Sequence, residues 1–185
     1  FEAVESGRLT LESPLTVSAE AASRPPAKLG LPVGTSITVR EAATALAVRS
    51  ANDVAVVVAE GVAGSEEAFA RQMNARARAI GMSRTHFVNA SGLPDEGQIS
   101  TARDMALLAL QLRTRFPAYQ NFFTLKEFSF NGRRYEATNK LLGKVPGVDG
   151  LKTGYIRASG FHLVATAQRG NKRLIAVVMG GETGR

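Results

Sequence analysis

The 185 residues are enough for one ordinary domain with a sizeable core, and 44% hydrophobic against 21% charged residues excludes disorder. A formal net charge of +7 would attract nucleic acid, anionic lipid or an acidic polymer without choosing among them. Lack of cysteine excludes disulfides and thiolate metal sites, two histidines leave little to bind zinc, and no apolar run approaches the roughly 18 residues of a membrane span.

Phe1 to Ser6 reads as the tail of a helix, with Gly7 where a left-handed C-terminal cap belongs. Leu9 to Val17 suits short extended segments around Pro14, and Ala21 to Pro32, with three prolines and Gly30, reads as a loop. A turn through Pro32 to Ser36 leads to a short strand over Ile37 to Val39. The period then changes. Arg40 to Val48 is helical, with Ala42, Ala45, Leu46 and Ala47 as small contacts. Arg49 to Asn52 interrupts it, and Asp53 to Ala63 resumes as a helix apolar nearly all round. A third helix opens at Ser65-Glu66-Glu67-Ala68, runs to Ile80 and stops at Gly81. A fourth starts at the hydroxyl-rich Ser100 to Asp104 and carries Met105, Leu108 and Leu112 on one face.

The last third is strand-like. Leu125 to Phe130 and Arg133 to Thr138 flank Asn131-Gly132, the strongest short hairpin signal. Val148 to Tyr155, Phe161 to Ala167 and Leu174 to Met179 are three more strands, the last two joined by a turn at Arg169 to Lys172. The expected fold class is α+β. A helical block over about 40–115 precedes an antiparallel sheet mainly within 124–180, with the N-terminal segment packed on the sheet.

Phosphate loops, dinucleotide fingerprints and Gly-x-Ser-x-Gly elbows are absent from the sequence. Two small clusters remain. Ser50-Ala51-Asn52 lies in the break between two apolar helices, where the plain structural reading makes Ser50 a cap and lets Asp53 complement the dipole. Lys152-Thr153-Gly154 lies inside a strand. There Lys152 would ordinarily be a solvated outward residue, whereas Gly154 suits a strand that another backbone approaches closely. His86 is read as ordering the loop before Phe87, His162 as a strand residue between Phe161 and Leu163, and Arg71, Arg76 and Arg78 as a solvated helix face.

In order and in context, the two clusters resemble the Ser-x-Asn and Lys-Thr-Gly pair of the penicillin-binding serine acyltransferases and their β-lactamase relatives. His86 to Leu93, Ser100 to Ala106, Val148 to Gly154 and Arg173 to Gly180 are similar to further segments of that group. Across nearly the whole chain the sequence most resembles the D-alanyl-D-alanine carboxypeptidases, low-molecular-mass penicillin-binding proteins of peptidase family S11. The resemblance implies the penicillin-binding protein/β-lactamase-like transpeptidase fold, an α/β sandwich with a mostly helical subdomain. It implies a peptidoglycan pentapeptide as substrate, β-lactams as inhibitors, no cofactor and no metal, and a location in the periplasm or at the outer face of the cytoplasmic membrane. Residues 1–185 would then be one catalytic domain, with membrane contact made by segments outside it. Nucleic acid is not an expected partner, because the basic residues are scattered without interleaved aromatics.

The same resemblance implies roles for six residues. Ser50 would relay a proton toward the leaving amine. Asn52 would hold the substrate's peptide oxygen. Lys152 would place positive charge beside Ser50 and attract the terminal carboxylate. Thr153 would donate to that carboxylate, Gly154 would let the strand edge approach, and the backbone N–H of Tyr155 would be one oxyanion donor. Tyr155 stands where the family often has His. The attacking serine of the family's Ser-x-x-Lys is not found, since no serine of the chain is followed three residues later by lysine. The sequence starts at Phe1 without an initiator Met and reads as part of a longer protein. The expected place for the nucleophile is about a dozen residues before Phe1, about 18 Å along the same helix. The 185 residues alone are therefore expected to fold poorly and not to acylate. Alternatives are a DD-endopeptidase of the same chemistry and a non-catalytic wall-binding relative. A β-lactamase is disfavoured, because nothing resembles the acidic loop that speeds deacylation in that class.

Overall fold

The computed structural model describes residues 1–184. The N-terminal third wraps a buried helix. After the short α1 (Glu2–Glu5), β1 (Pro14–Thr16) pairs antiparallel with β2 (Ser36–Thr38), matching Leu15 to Ile37. Between them lies α2 (Ala19–Ser23), in what the prolines and glycine make look like a loop. Ser18 caps it by accepting the Ala21 N–H at 2.9 Å, and Ala21 is fully buried. Here α3 (Val39–Arg49) starts with a capping box. The Glu41 N–H donates to Thr38 Oγ1 and the Thr38 N–H donates back to the Glu41 carboxylate.

Next, α4 (Asn52–Ala63) buries Val54, Val56, Val57 and Ala59 completely, which explains its apolar circumference. Leu15, Val17, Leu31, Ile37, Ala42 and Ala45 complete the cluster around it. Gly61 is needed for this packing, because a Cβ there would sit 2.6 Å from Leu15 Cδ2. The segment before α3 thus packs on the helices, not on the main sheet as expected. The driving term is the apolar surface of α4, which the N-terminal segment covers together with α3 and α5.

Hydroxyl caps at Ser65 and Thr101 start α5 (Glu66–Ala79) and α6 (Ala102–Arg115), each accepting an N–H three residues on. A 3₁₀ segment follows at Pro117–Phe123. β3 (Glu127–Phe130) and β4 (Arg133–Glu136) form a two-residue hairpin. Asn131 and Gly132 both take positive φ, 47° and 74°, as its turn type requires. This hairpin pairs only with itself among the described residues and leans on α3, so residues 124–180 divide into two sheets. The reason is local. Phe128 and Phe130 face the α4 cluster, and Thr138 donates its N–H to the Val48 carbonyl at 3.1 Å, tying the strand to a helix.

The main sheet has the order β5 (Val148–Ile156), β6 (Gly160–Arg169), β7 (Lys172–Gly181), all antiparallel, and among the described residues β5 has a free edge. α6 covers one face, where Ala109, Met105 and Leu112 meet Val164, Ile175 and Val177, and Leu151 of the neighbouring β5 joins the same cluster. Leu174 and Val178 remain exposed, 67% and 53%, on the other face. The class is α+β, as the pattern of periods implies.

A charge anchors the junction of loop and helix. Asp53 is fully buried and accepts the backbone N–H groups of Leu29, Gly30 and Leu31 at 2.8–3.2 Å, besides that of Val54 at 2.9 Å. It therefore holds the loop over α4 and does more than complement a dipole. Asp53→Ala strands these donors and is expected to cost about 3 kcal/mol of stability. Urea unfolding with an unchanged slope would measure it, and a loss under about 1 kcal/mol would show that the loop does not depend on this carboxylate.

Candidate active site

The break between α3 and α4 is built from left-handed backbone. Ser50 ends α3 at φ 58°, ψ 44°, a conformation that side-chain-bearing residues adopt at a cost. Ala51 is the N-cap of α4 and makes no side-chain cap bond. Ser50 is therefore not the cap of α4, and the plain structural reading of this serine fails. Its hydroxyl is presented to the side, where it meets Lys152.

Lys152 reaches it from β5. Its Nζ donates to Ser50 Oγ in a short contact and to the Thr153 carbonyl at 2.7 Å. The ordinary reading of Lys152 as an outward, solvated strand residue fails too. Its ammonium has no carboxylate partner among the described residues, and burial pulls its pKa down to about 8. A lysine that titrates near neutrality can hold or release a proton next to a hydroxyl.

The remaining residues lie around this pair. Asn52 Nδ2 donates to the Pro25 carbonyl at 2.9 Å, which fixes its amide against the loop that Asp53 holds. The Thr153 hydroxyl donates to Thr138 Oγ1 at 2.7 Å. Thr138 is a neighbour that sequence reasoning missed, because it lies beyond β4 and no motif marks it. Gly154 pairs with His162 on the edge strand. A Cβ at Gly154 would lie 3.6 Å from His162 Cβ, an ordinary contact, so packing inside the chain does not require glycine there. Tyr155 is 58% exposed and its ring lies 4.4 Å from that of Phe161.

Neither histidine is set up as a base. His86 exchanges backbone hydrogen bonds with Ile99, ordering its loop as expected. His162 Nδ1 accepts the Gly180 N–H at 3.2 Å, so its Nε2 carries the proton toward Ser159 Oγ, 2.8 Å away. That direction cannot activate Ser159. Among the described residues no cluster of His, Cys, Asp or Glu could hold a metal, and no helix is long and apolar enough to cross a membrane.

The lowered pKa of Lys152 makes its burial cost depend on pH. The folded chain disfavours the ammonium, so the burial cost is complete below pH 8 and fades as pH rises from about 8 toward the ordinary 10.5. Lys152→Met should therefore raise the melting temperature at pH 7, and the gain should shrink between pH 8 and 10.5. An NMR midpoint for Lys152 near 10.5, with no gain in the variant, would contradict this account.

The family model for peptidase S11, D-alanyl-D-alanine carboxypeptidase, matches residues 1–183. D-alanyl-D-alanine carboxypeptidase DacF of Bacillus subtilis is 38% identical over 189 residues, covering 99% of this chain and 48% of the relative. Penicillin binding protein 5 from Haemophilus influenzae superposes with a TM-score of 0.94 at 32% identity, over 99% of this chain and 55% of that one. Penicillin-Binding Protein D2 from Listeria monocytogenes, solved in an ampicillin-bound form, superposes at 0.82 and 33% identity, over 99% of this chain and 75% of that one. The chain spans about half the length of the curated relatives it matches. Its fold is theirs, and the chain belongs to the peptidase S11 family of D-alanyl-D-alanine carboxypeptidases.

Proposed function

We propose that the protein is a serine DD-carboxypeptidase that removes the terminal D-alanine of peptidoglycan stem peptides through an acyl-enzyme. The observation that carries this reading is the contact between Lys152 Nζ and Ser50 Oγ across two elements far apart in sequence. A serine Oγ attacks the carbonyl between the two D-alanines, the C–N bond breaks, and the amine takes a proton relayed through Ser50. Water then hydrolyses the ester. With a pKa near 8, Lys152 gives a proton to Ser50 as Ser50 gives its own to the leaving amine, and the proton lost by the attacking hydroxyl restores the ammonium. Asn52 holds the substrate amide, the Thr138–Thr153 hydroxyl pair faces the terminal carboxylate, and the free β5 edge at Gly154 receives the peptide backbone. The Tyr155 N–H and the nucleophile's own N–H serve the oxyanion. Such a substrate lies outside the cytoplasm, so the protein would act in the periplasm or at the outer face of the cytoplasmic membrane, where β-lactams reach it. The attacking serine is assigned to a Ser-x-x-Lys outside residues 1–185, since none occurs within them.

Incubating the full-length protein with a peptide ending in D-Ala-D-Ala should release free D-alanine. Cleavage of a cross-linked dimer without release from the pentapeptide would make it an endopeptidase, and no cleavage of either would overturn the enzymatic reading. Lys152→Ala in that protein should slow acylation by a labelled penicillin by about 10²–10³-fold while the fold persists. Near-wild-type acylation would remove Lys152 from the chemistry. Gly154→Val should keep the melting temperature, since a β-branched residue suits a strand, yet obstruct the docking backbone and slow acylation at least about tenfold. Unchanged acylation per folded molecule would show that substrate does not approach at this edge.

A further inference from the structure

The start of β5 is irregular. Val148 pairs with Ala167, but Gly150 pairs with Thr166, so Asp149 is an extra residue in the strand. Beyond this bulge the register is regular, with Leu151 opposite Ala165 and Lys152 opposite Val164. Paired residues share a face and alternate residues return to it. Lys152 is therefore on the face of Gly150, Val164, Thr166, Ile175 and Val177, the one α6 covers. Without the extra residue, every later side chain of β5 would change face, and Lys152 would point to the open side that exposes Leu174 and Val178.

The bulge is pinned by charge. Arg113, on α6, has a side chain only 5% exposed. Its Nη2 donates to the Asp149 carbonyl and to Asp149 Oδ1, both at 2.6 Å, and to Thr166 Oγ1 in a shorter contact. Thr166 is fully buried and donates to Asp149 Oδ1 at 2.7 Å. Arg173 Nη1 takes Asp149 Oδ2 at 2.7 Å. Gly150 leaves room for the guanidinium, because a Cβ at its φ of 148° would meet Arg113 Nη2 at 3.1 Å and Phe123 Cβ at 3.2 Å. Three elements, α6, β6 and β7, thus hold one residue of β5, three positions before the lysine.

We propose that Arg113 and Asp149 are positioning residues for Lys152, their ion pair fixing the bulge that turns this lysine toward Ser50. The proposal rests on the catalytic reading for its consequence but not for its geometry. The alternative, a pair that only adds stability, would leave the position of Lys152 unchanged when the pair is weakened.

Selective isotope labelling of lysine in the full-length protein separates the two. In the wild type Lys152 should titrate at about 8. In Arg113→Met, which keeps bulk and loses the charge, and in Asp149→Asn, which keeps shape and one acceptor oxygen but loses the charge, the midpoint should rise by about one unit or more toward the solvated value, with the circular dichroism spectrum retained. Arg113→Lys, which can present three donors to the same acceptors, should restore it. The rate constant for acylation by penicillin should fall about 10²-fold in the first two variants, with the initial binding constant little changed. An unchanged Lys152 midpoint in either folded variant would overturn the proposal. Failure of the wild type to acylate would overturn the catalytic reading alone, because the titration would still report where the lysine points.

Discussion

A buried lysine with no carboxylate partner among the described residues meets a serine held in left-handed backbone, and the architecture converges on that contact. Each partner is costly by itself. Desolvation opposes the ammonium, and the φ of Ser50 is one that glycine would adopt more readily. The surrounding fold supplies the compensation. α4 is packed on all sides and tied by Asp53 to the loop at 29–31, so the chain has little freedom where α3 hands over to it. On the other side, β5 is clamped at Asp149 and buried through Leu151 before it reaches Lys152. Strain at the junction is thus borne by two separate hydrophobic clusters, and the reactive groups lie where the clusters meet.

This division explains why the strands form several small sheets. The β1–β2 pair and the β3–β4 hairpin serve the cluster around α4, through Leu15, Ile37, Phe128 and Phe130. The three-stranded sheet serves the cluster under α6. Thr138 connects them, because its N–H is bonded to α3 and its hydroxyl to Thr153 on β5. Such an arrangement leaves the β5 edge unpaired beside the Lys-Thr-Gly run, the feature that a strand-like peptide needs.

Much of this was legible in the sequence where the signal is local. Ser65 and Thr101 mark helix starts because a short hydroxyl satisfies an orphan N–H. Asn131-Gly132 marks a hairpin because both residues tolerate positive φ. The Ser-x-Asn and Lys-Thr-Gly pair was legible only through family resemblance, since each cluster alone has an ordinary explanation. What stayed hidden depends on tertiary partners. Ala19–Ser23 folds as a helix because Ser18 caps it and Ala21 enters the core, whatever the prolines after it suggest. Ser50 escapes the capping role because the backbone turns left-handed before α4 begins. The extra residue at Asp149 cannot be read from β5 alone, because a bulge is defined by the partner strand.

In the proposed reaction Ser50 and Lys152 move a proton for a separate attacking serine. Peptide mapping by mass spectrometry, after the full-length protein has reacted with a β-lactam, tests it most directly. A single covalent adduct is expected, on the serine of a Ser-x-x-Lys sequence outside residues 1–185. An adduct on Ser50, or on any other serine of these residues, would contradict it.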